Sequence, residues 1–174
     1  STGTTVVCFG DSLTAGYGAA VGHDYPSFLS EKINLPVINA GVSGNTTGDA
    51  LQRLDKDVLI HKPKIVIITL GANDFFHGMH EEETLANMVK IIERIKEHGA
   101  MVVWAEVQTG VLGDAYIDDF TTLANREHIL LIPNILSGII DKPQYKYDQI
   151  HPNDEGYKIM ADRIYQHIKG FLSN

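Results

Sequence analysis

Five short apolar runs, none of which alternates apolar with polar residues, set the architecture of this 174-residue chain. They are Thr5–Phe9, Val37–Asn39, Ile65–Leu70, Met101–Ala105 and Ile129–Ile132. A strand with one face in water alternates, whereas a run apolar throughout must be covered on both faces. Between the runs, apolar residues return at helical spacing. Leu85, Met88, Val89, Ile92 and Ile95 make one stripe, and Gly99 is placed to end that helix. Leu51, Leu54 and Val58 make a second, with Thr46 and Asp49 spaced as a cap pair at its start. Ile117, Phe120 and Ala124 make a third. Tyr157, Met160, Ala161, Ile164, Ile168 and Phe171 make the last, behind Asn153 as N-cap. A further helix is predicted over Tyr25 to Lys32. Strand and helix alternating in this way predict a doubly wound α/β domain with right-handed crossovers.

The length fits a single domain over residues 1–174, long enough to bury a substantial core. A formal net charge of −8 argues against a nucleic-acid surface, which would cluster Lys and Arg. The lone cysteine, Cys8, rules out an internal disulfide and falls inside the first apolar run, where it packs as a small hydrophobe. No run reaches the ~20 apolar residues of a membrane helix, so no stable membrane insertion is expected. No segment has the pattern of a signal peptide. The chain therefore reads as soluble, its compartment left open between cytoplasm and a secreted or periplasmic setting. Its oligomeric state is also open, a monomer being compatible with everything above.

In an open parallel sheet, ligands bind beyond the carboxyl ends of the strands. The segment after the first run is Gly10-Asp11-Ser12-Leu13, which puts a hydroxyl at a strand tip. The segment after the second is rich in glycine, Ala40-Gly41-Val42-Ser43-Gly44-Asn45, and can turn tightly and present N–H groups. The third is Gly71-Ala72-Asn73-Asp74, with an amide that can donate twice. The last holds Asp148-Gln149-Ile150-His151 just before a helix. These are the parts acyl transfer needs. A hydroxyl is a weak nucleophile until a base takes its proton. A carboxylate fixes the tautomer of that base. Donors must face the oxygen where negative charge develops. Ser12, His151 and Asp148 fit the first three roles; the N–H groups of Ser12 and Gly44 and the Asn73 amide fit the oxyanion hole.

The four blocks, Gly10-Asp11-Ser12-Leu13, Gly44 in its loop, Gly71-Ala72-Asn73-Asp74 and Asp148-Gln149-Ile150-His151-Pro152, resemble those of the SGNH hydrolases, the GDSL esterase–lipase family. They stand in the family's order and span residues 10 to 152. The resemblance is to the small bacterial branch of arylesterases and thioesterase/lysophospholipase enzymes. It implies a flavodoxin-like, three-layer α/β/α fold on five parallel strands. It also implies a serine esterase without metal or cofactor, acting on a small-molecule ester. Ser12, Gly44, Asn73 and His151 would carry the four named roles, with Asp148 orienting His151. Two positions depart from the family pattern: Asn45, where relatives often have Asp, and the apolar pair Phe75-Phe76. No Gly-x-Ser-x-Gly pentapeptide surrounds Ser12, which sets aside the α/β-hydrolase elbow.

Duller roles are available for most of these residues. Ser12 after Gly-Asp can simply cap a turn. Asp11 and Asp74 read as carboxylates that bond nearby N–H groups and hold their loops. His77 and His80 bracket a loop position but lack a clear third ligand, so no metal site is expected. Glu81-Glu82-Glu83 reads as a solvated helix start. Phe75, Phe76, Leu112, Tyr145 and Tyr147 are candidates to line an acyl pocket, or else to pack under their loops. Three other functions stay open beside the esterase: a carbohydrate O-acetyl esterase on the same scaffold, a non-catalytic ligand-binding module, and a metal-dependent phosphoesterase using Asp11, Asp74 and His151.

Overall fold

The computed structural model describes residues 2–108 and 114–173. Its strands are β1 (Thr5–Gly10), β2 (Val37–Gly41), β3 (Pro63–Thr69), β4 (Met101–Ala105) and β5 (Leu130–Ile132). They form one parallel sheet in the order β2-β1-β3-β4-β5. This is the flavodoxin-like order. The helices are α1 (Ser12–Ala15), α2 (Tyr25–Ser30), α3 (Thr47–Asp57), α4 (Ala72–Phe76), α5 (Glu81–Glu97), α6 (Asp114–Arg126) and α7 (Asp154–Ile168).

The apolar runs become strands because both faces of the sheet are covered. Side chains alternate between faces along a strand. Val7 and Phe9 of β1 join Val66 and Ile68 of β3 under α3, α5 and α6. Val6 and Cys8 join Ile65 and Ile67 under α2 and α7. All seven residues of β3 are buried. Each Ile or Val removed from water there stabilises the fold by about 1.5–3 kcal/mol.

The predicted caps form. Thr46 Oγ1 accepts from the Asp49 N–H at 3.2 Å, and Asp49 Oδ2 accepts from the Thr46 N–H at 3.0 Å. Asn153 Oδ1 accepts from the Gly156 N–H at 3.1 Å. The differences lie at element ends. β2 continues through Ala40 and Gly41 because these pair with Phe9 and Gly10. β3 begins at Pro63, opposite Thr5. α2 stops at Ser30, short of Lys32. The segments after β1 and β3, expected as loops, each contain a short helix, α1 and α4. Strand order reverses at β1, with β2 on one side and β3 on the other. Ser12 and Asn73 both leave the sheet at that switch point, where such folds open a crevice.

Candidate active site

Gly10 ends β1 where no side chain fits. A Cβ there would lie 2.2 Å from Thr14 Oγ1 and 2.6 Å from the Thr69 carbonyl. Asp11 then caps α1, its Oδ1 accepting from the Leu13 N–H at 3.0 Å. Ser12 is thereby the first residue of α1, at the strand tip.

Its Oγ lies 2.9 Å from Nε2 of His151. On the far side of the ring, Nδ1 lies 2.8 Å from Asp148 Oδ2 and 3.0 Å from Oδ1. Asp148 Oδ1 also accepts from the N–H groups of Ile150 and His151, at 2.9 and 2.8 Å. The loop thus folds around its own carboxylate. Burial pushes the Asp148 pKa up, but the Ile150 N–H, the His151 ring and the His151 N–H together outweigh it. The carboxyl sits below its ordinary value and is ionised at neutral pH. An ionised Asp148 can accept from Nδ1–H, and in that tautomer Nε2 faces the Ser12 hydroxyl as an acceptor.

Gly44 holds a φ of 81°, and nothing lies within 4 Å of where its Cβ would stand. Glycine is needed there for the left-handed backbone, not for space. Asn73 Nδ2 donates to the Asn45 carbonyl at 3.0 Å and to Asp11 Oδ2 at 3.3 Å. The N–H groups of Ser12 and Gly44 donate to no protein group among the described residues. Ser12, Gly44, Asn73 and His151 line one cavity of about 250 Å³ with Tyr17, Ser43 and Ile150. A smaller space of about 30 Å³ also reaches Ser12, Asn73 and His151, between Leu13, Ala72, Phe76, Val107 and Ile150.

The pocket candidates divide. Phe76 lines the smaller cavity. Tyr147 lines neither cavity; it is exposed and stands edge-on to Tyr17, which lines the larger one, with centroids 5.8 Å apart. Phe75 lines neither cavity: it packs on the core against Tyr116, 6.0 Å between centroids. Successive residues of a helix diverge by about 100°, so α4 sends Phe75 inward and Phe76 to the crevice. Tyr145 lines neither either; it packs on the layer under α7, with the Lys142 ammonium 6.0 Å from its ring. Leu112 lies outside the described residues.

Tyr17 was not singled out by its sequence, yet its ring lies 4.7 Å from that of His151. Gly16 and Gly18 flank it at φ of 91° and 90°, and the Tyr157 hydroxyl donates to its carbonyl at 2.6 Å. Those two glycines were the available signal of a chain folding back. Asp11 is 2 % exposed. Burial pushes its carboxyl up to about 7, with the charge of Asp74 adding and the Leu13 N–H opposing. Asp74 accepts from the Thr47 N–H and hydroxyl at 2.9 and 2.5 Å and from the Thr84 hydroxyl at 3.3 Å. It knits α3 to α5. Among the described residues, no group of three or more His, Cys, Asp or Glu is placed to hold a metal ion. Among them, too, no helix is long and apolar enough to cross a membrane.

The GDSL-like Lipase/Acylhydrolase family matches residues 8–159. An arylesterase of Vibrio mimicus is 32% identical over 94% of this chain and 87% of its own length. Thioesterase 1/protease 1/lysophospholipase L1 of Escherichia coli is 28% identical over 98% of this chain and 86% of its own. The crystal structure of the psychrotrophic esterase EstA from Pseudoalteromonas superposes with a TM-score of 0.85 at 28% identity, covering 98% of this chain and 100% of that one. With its five-stranded parallel sheet and its blocks in order, this chain belongs to the GDSL-like lipase/acylhydrolase family of SGNH esterases and is a carboxylic ester hydrolase.

Proposed function

We propose that this esterase works through an acyl-enzyme on Ser12. The observation that carries the reading is the chain of contacts from Ser12 Oγ to His151 Nε2 and from His151 Nδ1 to Asp148. His151 takes the hydroxyl proton as Oγ attacks the ester carbonyl. The tetrahedral oxyanion lies between the N–H groups of Ser12 and Gly44 and the Asn73 amide, each donor contributing about 3–4 kcal/mol to lowering the barrier. His151 then protonates the leaving alcohol. In the second half it activates water, which releases the acid and restores the hydroxyl. Asp148 holds the imidazole throughout. Every step uses groups of this chain and water. Asn73 enters by exchanging its longer hydrogen bond, that to Asp11, for one to the oxyanion.

The two cavities at Ser12 suit an ester with a small acyl group and a larger alcohol, aryl esters and thioesters included. A second substrate class has its own support. A polar cavity of about 450 Å³ is lined by Gln108, Asn134, Ser137, Asp141 and Gln149, the last of these inside the Asp148–His151 loop. Hydroxyl-rich alcohols such as acetylated sugars would match it. A rate series over acyl esters of rising chain length, with an acetylated sugar alongside, separates the two. The mechanism itself is tested with p-nitrophenyl acetate and a fluorophosphonate. The expected result is a burst of one equivalent and modification of Ser12 alone, both lost in Ser12→Ala. Full turnover in Ser12→Ala would sink the mechanism.

A further inference from the structure

Arg53 of α3 has a side chain that is only 12% exposed. Its Nη2 donates to the Gly10 carbonyl at 2.9 Å. Its Nη1 donates to the Ala40 carbonyl at 2.9 Å and to Asp57 Oδ2 at 3.2 Å. Its Nε donates to Asn45 Oδ1 at 2.6 Å. The Phe9 ring lies beneath it, 4.7 Å from Cζ. Three of these four acceptors are neutral. Drawing a cation out of water towards neutral carbonyls is poorly compensated, and an apolar side chain would serve stability as well.

What the bonds share is where they lead. Gly10 is two residues before Ser12. Ala40 belongs to the end of β2, the strand that delivers Gly44. Asn45 follows Gly44 directly, and its carbonyl receives the Asn73 amide. One rigid planar group is therefore tied to the segments that carry Ser12 and Gly44, and Asn45 in turn receives the Asn73 amide. We propose that Arg53 is the positioning residue of the oxyanion hole, holding the Gly44 loop in register with Ser12 and, through Asn45, with Asn73. This rests on the assignment of the hole made above. Such donors act because they are already aimed before charge develops. Losing their aim raises the barrier while leaving substrate binding nearly unchanged. Lysine cannot replace the fork, since a single ammonium cannot span acceptors on three segments.

The test is steady-state kinetics with p-nitrophenyl acetate on Arg53→Gln, Arg53→Lys, Asn45→Ala, Asn45→Asp and Asn73→Ala, each checked for folding by circular dichroism and thermal melting. Arg53→Gln and Arg53→Lys are expected to lose kcat by roughly 10–100-fold with KM within about threefold. Asn45→Ala is expected to lose about 5–20-fold in the same way, and Asn45→Asp, which still accepts from Nε, to stay near the parent. The double variant Arg53→Gln/Asn45→Ala should be no slower than Arg53→Gln, because both remove one strut. If Arg53→Gln does not fold, the Asn45 pair carries the test. A folded Arg53→Gln or Asn45→Ala with unchanged kcat, or a loss expressed in KM, overturns the role of Arg53. If Asn73→Ala is also fully active, the oxyanion hole itself has been misassigned.

Discussion

The Asp11→Asn variant converts a buried carboxyl into a measurable slope. Asp11 is closed off beneath the site, and its pKa stands at about 7 in the fold against an ordinary 3.8. Between those values the native state holds a proton that the unfolded chain has lost. Unfolding free energy therefore falls as pH rises through that window, by about 1.4 kcal/mol per pH unit, and levels off above pH 7. The full cost of ionising Asp11 in place is about 4 kcal/mol, of which about 3 kcal/mol appears between pH 5 and 8.5. Asparagine keeps an oxygen for the Leu13 N–H but cannot ionise. Its own NH2 would face Asn73 Nδ2, which now donates to Asp11 at 3.3 Å. That conflict is independent of pH, so the informative quantity is a change in difference. Urea unfolding of parent and variant at pH 5 and pH 8.5 should show the variant gaining about 3 kcal/mol on the parent at the higher pH. Carboxylates with lowered pKa, Asp148 among them, act with the opposite sign at lower pH and cancel between the two proteins. Parallel stability curves would refute the account of Asp11.

Two further outcomes follow from the geometry. Asp148→Asn offers Nδ1 a donor instead of a charge, so the ring turns its hydrogen toward Ser12; kcat on a chromogenic ester should fall roughly 10²–10⁴-fold with KM little changed, and a loss below threefold would count against the orienting role. Thr46→Ala removes one half of the capping box at α3, and chemical denaturation should register about 1 kcal/mol of lost stability.

Much of this was legible in the residues. A strand buried on both faces has no polar alternation, and Ile65-Val66-Ile67-Ile68 announces that condition directly. Caps are local, so Thr46 with Asp49 and Asn153 could be read without knowing the fold. Pairing is not local: β2 reaches Gly41 only because β1 lies beside it, and no property of Ala40 or Gly41 says so. The same holds for the pocket. Phe75 and Phe76 are indistinguishable as letters, and the one-turn helix that separates their directions forms against the sheet. Arg53 gave no signal at all, since an arginine on a polar helix face is ordinarily solvated. Its importance arises from the carbonyl ends of two strands meeting at one point.

Ser12 and His151 are 139 residues apart in the chain. Synthesis runs from the amino end. It delivers Ser12, Gly44 and Asn73 with the first three strands, well before Asp148 and His151 exist. On the proposed mechanism the hydroxyl has no base until the segment leading into α7, which packs beside α2, has been made. On that reading all five strands are made before the base is. The single tryptophan, Trp104, lies on the opposite layer against Phe120. Turnover and tryptophan fluorescence therefore report on different sides of the sheet as the chain refolds.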